Sequence, residues 1–345
     1  MQSPESGDGH QQPVFGPPSS SETHATSAIP HGSLSAAILI VGPTGVGKTA
    51  IALAIAPSFD AEIVSVDSRL FYRGMDIGTA KPTLEERARV RHHLIDIDDP
   101  HQTVGLVEFQ RWAAAAMSDI VARGKTPLLV GGTGQYVRAL TTGWKPPSVR
   151  PHQGLRSELQ RLANARGKNW LHERLDYLDD AAARLIDPRN VRRTVRALEV
   201  ILSSGRRFSD QRDREPPPYR FISIGLRRAR PALYARIDAR IEDMWEAGLL
   251  DETRRLLHRA AGQDWPAMSA IGYSQCNDVI RGRMKLEQAK AEMRAATRAL
   301  VRRQSSWFRE TDPAITWFEA GDPVVLDRIT AFLRRELPVC VPDNP

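Results

Sequence analysis

Short apolar runs alternate with longer amphipathic segments through the first part of the chain. The runs at 37–41, 62–68 and 127–130 are rich in aliphatic and β-branched residues and end on glycine or polar residues, which is typical of buried strands. The segments after residue 50 and over 109–123 have helical spacing. Because strands alternate with helices, we predict an α/β fold, a parallel sheet flanked by helices with right-handed crossovers.

The pattern changes at two proline clusters, 146–147 and 216–218. Between them the sequence is helical, rich in arginine and poor in β-branched runs, which predicts an inserted all-helical subdomain. A strand returns at 219–226, and helical spacing then runs from residue 231 past Leu249. The predicted organisation is a disordered tail at 1–35, a core at 36–146 and 216–325, a helical insert at 147–215, and a C-terminal helix and tail at 326–345.

Composition narrows the classes of protein that this chain can belong to. Of its 345 residues, 41% are hydrophobic and 26% are charged, which is ordinary for a soluble globular protein. No stretch approaches the roughly 18 apolar residues of a membrane helix. The first 35 residues contain no Lys or Arg for a targeting signal, and Cys276 and Cys340 form no metal motif. We therefore expect a cytoplasmic protein that does not contact a membrane.

Charge is distributed unevenly along the chain, whose net charge is +7. Up to Val149 there are 12 basic and 14 acidic residues, a net charge of −2, and the remainder holds 36 basic and 27 acidic residues, a net charge of +9. A basic second half predicts a polyanionic partner such as nucleic acid. Solvated helix faces produce the same composition, so charge alone does not decide between them.

One octapeptide fits the pattern of a phosphate-binding loop, G-x-x-x-x-G-K-[ST]. It consists of Gly42, Pro43, Thr44, Gly45, Val46, Gly47, Lys48 and Thr49. It follows a predicted strand and precedes a predicted helix, which is the context that supports the motif. Backbone amides and the helix N-terminus attract a polyphosphate, Lys48 adds a full charge, and the Thr49 hydroxyl can bind Mg²⁺. The loop predicts a polyphosphate ligand without identifying it.

Asp67 lies at the end of the second predicted strand, where the carboxyl ends of parallel strands meet in a cleft. A carboxylate there can hold Mg²⁺ through water or accept a proton from a nucleophile. The alternative is an aspartate that caps the segment after the strand. The strand before Gly131 ends in glycines rather than in an acidic pair, which counts against simple ATP hydrolysis.

Arginines in the second half are candidates for phosphate contacts. Arg236 and Arg240 share a helix face and can neutralise a leaving pyrophosphate, or they can instead pair with the acidic residues of the same helix. Those acidic residues are Asp238, Glu242 and Asp243. Two further groups suit an RNA backbone or are solvated helix faces: Arg294, Arg298 and Arg302 with Arg303, Arg309, Trp307 and Phe308, and Arg189, Arg192, Arg193 and Arg196. We interpret His92 and His93 as structural, since no partner ligands have metal-site spacing.

Several stretches together resemble one family, the tRNA dimethylallyltransferases, also called tRNA isopentenyltransferases. They are residues 42–49, 65–69, 72–82, 92–96, 129–134, 196–199, 270–273, 303–304 and 307–309. The resemblance runs from about residue 37 to 318, and the stretch 74–82 is its most specific part. It implies a phosphate-loop fold of the NTPase type with a helical insert that binds tRNA. No C-terminal Cys/His zinc module follows, which favours the short bacterial form.

The resemblance implies a reaction and a set of catalytic residues. The family transfers a dimethylallyl group from its diphosphate to the exocyclic amine of the adenosine next to the anticodon. The loop at 42–49 is then expected to hold the donor diphosphate, with Thr49 binding Mg²⁺. Asp67 would accept the proton of the amine, which is a poor nucleophile, and Arg240 would stabilise the departing pyrophosphate. Thr133 would contact the adenosine, which must be extruded from the RNA.

The resemblance also implies residues that bind the anticodon stem-loop of tRNA. They are Asp67, Ser68, Arg69, Leu70, Thr133, Arg156, Arg192, Arg193, Thr194, Val195, Arg196, Ser269, Ala270, Ile271, Gly272, Tyr273 and Ser274. Many relatives carry a basic residue where Ser274 stands, so one phosphate contact differs here. The expected partners are tRNA and dimethylallyl diphosphate, the expected cofactor is Mg²⁺, and the expected state is a monomer.

Three other functions share some of these features. A phosphate-loop kinase of a small metabolite or nucleotide would use the loop and Asp67 but would leave the basic second half unexplained. An RNA-binding protein switched by a nucleoside triphosphate would need a base-recognition motif, and the guanine signature Asn-Lys-x-Asp is absent. An enzyme that prenylates free adenine nucleotides would not need a wide basic surface. The tRNA prenyltransferase explains the most residues.

Overall fold

The computed structural model describes residues 34–211 and 213–337. Its six strands form one parallel sheet in the order β3-β2-β4-β1-β5-β6. The strands are β1 (Ser35–Val41), β2 (Ala61–Val66), β3 (His92–His93), β4 (Thr126–Gly131), β5 (Tyr219–Arg227) and β6 (Ile315–Glu319). The helices are α1 (Lys48–Ile55), α2 (Leu84–Arg89), α3 (Leu106–Ala122), α4 (Gly134–Thr142), α5 (Gln153–Arg166), α6 (Lys168–Leu178), α7 (Asp180–Leu185), α8 (Val191–Ser204), α9 (Arg230–Glu246), α10 (Leu249–Ala260), α11 (Tyr273–Ile280), α12 (Leu286–Trp307) and α13 (Val325–Glu336).

The sheet is buried on both faces, and alternation within its central strand shows how. Ile38 and Ile40 of β1 belong to one core, and Leu39 and Val41 belong to the other, because successive side chains of a strand point to opposite faces. Helices α1, α9 and α13 contribute to the first core, and α3 and α4 contribute to the second. A strand covered on both faces is apolar along its whole length, which is why the run at 37–41 is continuous. The predicted α/β fold is confirmed.

The strand order places the functional segments at one edge of the sheet. The chain leaves β1 for β2 on one side, and β5 lies on the other side of β1. Ligands of such sheets bind at this point of divergence, beyond the carboxyl ends of the strands. Gly42, Asp67 and Gly132 directly follow β1, β2 and β4 at that edge. Three segments distant in sequence therefore meet in one cleft.

Helices α5 to α8 lie within the predicted insert and share a core of their own. Leu171, Leu175 and Leu198 are almost fully buried in it. The chain enters and leaves this region at adjacent points, because Lys145 N donates to Asp213 O (2.9 Å) and Glu215 N donates to Gly143 O (3.0 Å). These helices and their core are consistent with a subdomain at 147–215, and its function in binding RNA stays a prediction.

Several elements differ from the sequence-based expectations. The second strand ends at Val66, so Asp67 lies in the turn beyond it. The helical spacing through Leu249 conceals a break, because α9 ends at Glu246 and a new helix begins at Leu249. Strands β3 and β6 were not predicted, since two and five residues give too little periodicity.

The two ends of the chain bear on the predicted organisation. The C-terminal helix α13 buries Val325, Ile329 and Leu333 in the first core, so it is one of the helices that cover the sheet. The predicted tail at 1–35 lies outside the described residues except for its last two, and β1 already begins at Ser35. In the described part of the chain, no helix is both long and apolar enough to cross a membrane.

Candidate active site

The phosphate-loop motif forms a compact turn between β1 and α1. Gly45 and Gly47 have φ angles of 80° and 113°, in the left-handed region that only glycine adopts without strain. Lys48 Nζ donates to the carbonyl oxygens of Gly42 and Pro43, both at 2.9 Å, and so lies across the loop. No side chain caps the first turn of α1, so its amides are free to bind an anion.

Helix α9 lies against this loop and supplies two arginines. Arg240 Nη2 donates to Thr44 Oγ1 (3.0 Å), and Arg236 Nε donates to Gly45 O (3.2 Å). Ile237 packs so closely on Gly45 that a Cβ atom there would lie 2.9 Å from it. The loop is therefore supported from one side by a helix face that also carries positive charge.

The alternative pairing of Arg236 and Arg240 with acidic residues of α9 is wrong. Asp238 accepts a hydrogen bond from Arg298 (2.6 Å), and Glu242 accepts from Lys290 (2.6 Å) and from Arg294. These partners all lie on α12. Helix α12 therefore pairs with Asp238 and Glu242 of α9, and the two arginines are directed at the loop.

Lys48 and Arg240 make the loop electropositive, and burial lowers the pKa of both side chains. Desolvation, with a smaller contribution from the charge of Arg240, lowers the pKa of Lys48 from 10.5 to about 8, although the Asp67 carboxylate opposes this shift. Desolvation also lowers the pKa of Arg240, although a guanidinium stays charged in proteins. Two cations held together with incomplete compensation favour an anionic ligand between them.

Asp67 is positioned by a tight turn. Its Oδ1 accepts a hydrogen bond from Arg69 N (2.9 Å), so the predicted capping role is present on one oxygen. In the described part of the chain its other oxygen, Oδ2, receives no hydrogen bond, and no cation lies within ion-pair distance of the carboxylate. Capping and chemistry are therefore compatible, because one oxygen fixes the side chain and the other is free to accept a proton.

Thr133 joins the turn after β4 to the turn after β2. Its amide donates to Val66 O (3.3 Å), and its Oγ1 accepts from Ser68 N (3.3 Å). Asp67 and Ser68 are thereby held beside Thr133, as predicted for residues that serve one site. The Thr133 hydroxyl retains its proton as a donor for a ligand.

A cavity of about 60 Å³ opens between the loop and Asp67. Its polar lining includes Lys48, Thr49 and Asp67, and its apolar lining includes Leu70 and Val130. Hydroxyl and carboxylate oxygens are the hard ligands that Mg²⁺ takes, usually alongside water and phosphate oxygens. The residues present therefore fit a magnesium ion bound together with a diphosphate.

The conformation of the stretch 74–82 is fixed by buried polar contacts that its sequence did not reveal. Buried Glu252 accepts hydrogen bonds from the amides of Asp76 (3.2 Å) and Ile77 (3.0 Å) and from the Tyr273 hydroxyl (2.6 Å). Lys81, whose side chain is almost wholly buried, pairs with Asp76 and with Asp96, both at 2.6 Å. The buried Glu252 carboxylate thus fixes this stretch to α10 and α11, and the buried Lys81 ammonium joins it to Asp96.

The predicted tRNA-binding residues differ in their accessibility. Arg192, Arg193 and Ser269 are exposed, whereas Thr194, Val195, Ala270, Gly272 and Tyr273 are buried and Ile271 and Ser274 are half-buried. Arg156 and Arg196 both pair with the fully buried Glu199, at 2.9 and 2.7 Å. The buried members can shape the surface or support exposed neighbours, and all of these RNA contacts stay predictions.

The arginine row on α12 is divided between two environments. Arg294 and Arg298 pair with Glu242 and Asp238 of α9, so these two arginines are partly neutralised. Arg302 and Arg303 are exposed and have no ion-pair partner in the described part of the chain. Phe308 is buried, whereas Trp307 is 45% exposed beside Gly134. Free positive charge and an aromatic surface therefore coincide at the end of α12 nearest Thr133.

Comparisons with known proteins give a consistent result. A family model described as IPP transferase matches residues 70–311. A tRNA dimethylallyltransferase from Roseiflexus sp. (strain RS-1) is 52% identical over 279 residues, which cover 81% of this chain and 92% of that protein. Because the family match begins at residue 70, the phosphate loop and Asp67 are observations independent of it.

Solved structures agree with the sequence comparisons. The full-length tRNA isopentenylpyrophosphate transferase from Bacillus halodurans has a TM-score of 0.66 and 38% identity, covering 88% of this chain and 97% of that one. A eukaryotic dimethylallyltransferase acting on tRNA has a TM-score of 0.73 and 25% identity, covering 87% and 77%. Both similarities therefore extend over most of this chain.

Proposed function

This chain belongs to the IPP transferase family, and from that membership we propose that it transfers a dimethylallyl group from dimethylallyl diphosphate to tRNA. The proposed acceptor is the exocyclic amine of the adenosine on the 3′ side of the anticodon. One observation carries the proposal. A phosphate-binding loop crossed by Lys48 lies over the same cavity as the Asp67 carboxylate, and no cation of the described residues lies within ion-pair distance of that carboxylate. This pairing suits a reaction in which diphosphate leaves and the amine of the acceptor gives up a proton to a base.

The transfer divides into one bond broken and one bond formed. The bond between the allylic carbon and the diphosphate oxygen breaks, and its electrons leave with the diphosphate. The amine nitrogen of adenosine forms the new bond to that carbon, and its proton passes to Oδ2 of Asp67. Loop amides, Lys48 and Arg240 stabilise the charge that develops on the leaving group. A magnesium ion held by the Thr49 hydroxyl would supply further neutralisation of the diphosphate.

The acceptor side is the turn after β2 together with Thr133. The amine of adenine is a weak nucleophile because its lone pair is delocalised into the ring, so orientation and a positioned base matter. Thr133 and the turn 67–70 are candidates to hold the extruded base, since Oγ1 of Thr133 and Oδ2 of Asp67 both remain available. The monomeric state and the cytoplasmic location stay predictions that accompany a tRNA substrate.

One assay separates the proposed function from its alternatives. The chain is incubated with Mg²⁺, labelled dimethylallyl diphosphate and either unmodified tRNA or adenosine monophosphate. We expect label in tRNA and none in the nucleotide. Label in the nucleotide alone would instead identify a nucleotide prenyltransferase, and ATP consumption without prenyl transfer would identify a kinase.

Binding of the donor is expected to be linked to protonation of Lys48. In the folded chain without donor, the pKa of Lys48 is about 8. A bound diphosphate favours the charged form of Lys48, so donor binding above pH 8 is accompanied by uptake of a proton. Donor affinity should therefore fall as pH rises past 8, by at most about tenfold per pH unit. Titration calorimetry without tRNA from pH 6.5 to 9.5 measures this. Lys48→Met should bind weakly at every pH, and a flat profile for the unmodified chain would contradict the linkage.

Binding of tRNA is expected to depend steeply on salt. Each phosphate contact with single-stranded RNA contributes about −0.7 to the slope of log K against log salt. Arg302→Gln/Arg303→Gln should therefore reduce the magnitude of that slope by about 1.4. The matched control is Arg334→Gln/Arg335→Gln on α13, which changes the net charge equally and should leave the slope unaltered. Equal slopes for both double variants would exclude the end of α12 as a phosphate-binding surface.

A further inference from the structure

A buried glutamine connects the donor side of the site to the acceptor side. Gln304 lies near the end of α12 and is 7% exposed. Its Oε1 accepts a hydrogen bond from Thr44 N (2.8 Å) in the phosphate loop, and its Nε2 donates to Gly132 O (3.1 Å) in the turn after β4. One side-chain amide therefore contacts both turns at once.

This contact is the polar link between the two turns. The ladder between β1 and β4 extends to Ile40 and Val130. Beyond it, no direct hydrogen bond joins residues 42–47 to residues 132–134 within 34–211 and 213–337. The relative position of loop and turn thus depends on Gln304 and on the packing around it.

The chemistry of the contact is specific to an uncharged amide. Glutamine presents a donor and an acceptor at the same end of its side chain, which no carboxylate or hydrocarbon of that length does. Gly132 is built around it, since a Cβ atom at that position would lie 2.3 Å from Gln304 Nε2. A shorter amide would not reach both partners, and an apolar side chain would leave two buried backbone groups unpaired.

Thr44 is held from two directions. Gln304 binds its amide, and Arg240 binds its hydroxyl at 3.0 Å. Next to Gly132 lies Thr133, whose Oγ1 accepts from Ser68 N and so fixes the turn that carries Asp67. Gln304 therefore stands between the residues proposed to act on the diphosphate and those proposed to act on the adenosine.

We propose that Gln304 is a positioning residue, which sets the separation between the loop that holds the donor diphosphate and the turn that receives the acceptor base. The inference rests on the proposed function. Reacting atoms must come within about 3–3.5 Å in alignment, and a displacement of about 1 Å lowers the rate about 10²-fold. Gln304 contacts neither the diphosphate nor the base in this scheme, so its effect falls on their mutual alignment.

The test compares turnover with binding in Gln304→Met, which keeps the length and loses both hydrogen bonds. We expect kcat for transfer to tRNA to fall about 10²-fold, with the donor Kd, measured without tRNA, changing less than about threefold. Gln288→Met, at an exposed position of the same helix, is the matched control and should leave both unchanged. If the melting temperature shows that the methionine variant unfolds, Gln304→Asn replaces it. This variant keeps the amide and the net charge, and it should likewise lower kcat with little change in donor Kd.

Three outcomes have separate meanings. A kcat within twofold of the unmodified chain overturns the positioning proposal. A loss of kcat matched by an equal loss of donor affinity also overturns it, because Gln304 would then only shape the diphosphate site. Absence of transfer to tRNA by the unmodified chain in the same assay overturns the proposed function itself, and the positioning proposal with it.

Discussion

Replacement of Asp67 by asparagine is expected to lower kcat for prenyl transfer about 10²–10⁴-fold. Asparagine keeps the size of the side chain and an acceptor oxygen for Arg69 N, so the turn after β2 is retained. It removes the basic oxygen that would take the proton of the adenosine amine. The donor Kd should change little, because the hydrogen bonds that hold Lys48 and Arg240 on the loop do not involve Asp67.

The control for this variant is Asp243→Asn. Asp243 is an exposed carboxylate on α9 that has no ion-pair partner in the described residues. Both variants remove one negative charge, and only Asp67 faces the cavity. Steady-state rates with saturating tRNA measure the effect on kcat, and calorimetry measures the effect on the donor Kd. If donor affinity fell as far as kcat, Asp67 would be a magnesium or structural ligand rather than the base.

Replacement of Arg240 by glutamine is expected to lower kcat about 10²–10³-fold, the range seen when one preorganised charge-stabilising donor is removed. Arg240 is a cation directed at the loop, and its partner is the uncharged Thr44 hydroxyl. Its charge is therefore free to act on the diphosphate as negative charge develops there. Arg240→Lys should recover part of the rate, since it restores the charge but not the planar group of donors.

Arg236→Gln is the matched comparison, because Arg236 is exposed and, among the described residues, its side chain binds only the Gly45 carbonyl. We expect less than a tenfold loss of kcat from that change. Single-turnover rates at saturating donor separate the chemical step from binding. Equal losses of kcat at both positions would indicate that the two arginines of α9 contribute only a general positive potential, and the specific role of Arg240 would be rejected.

The parts of the site that sequence predicted are contiguous in the chain. The phosphate loop has fixed spacing, and Asp67 ends an apolar run, so each is identified from a few neighbouring residues. The loop, the Asp67 turn and Thr133 indeed meet at the carboxyl edge of a parallel sheet. Local pattern and a general rule of sheet topology were sufficient for that much.

The parts that sequence left open depend on residues far apart in the chain. Whether Arg240 pairs with its own helix or faces the loop depends in part on Lys290, Arg294 and Arg298, which pair with the Glu242 and Asp238 carboxylates of α9. Glu252 and Gln304 were not assigned roles, because a single polar residue in an amphipathic helix gives no sign of which turn it will bind. Their backbone partners lie more than 170 residues away along the chain.

The paired segments at the base of the helical insert have an evolutionary consequence. Since residues 143–145 and 213–215 are joined by hydrogen bonds, deleting or exchanging the helices between them moves no strand of the sheet. Insertions whose ends lie side by side are the kind that folds tolerate. The helical insert and the α/β core can therefore diversify at different rates. If the insert binds RNA as predicted, chimaeras that exchange it between relatives should change which RNAs are modified while leaving the chemistry intact.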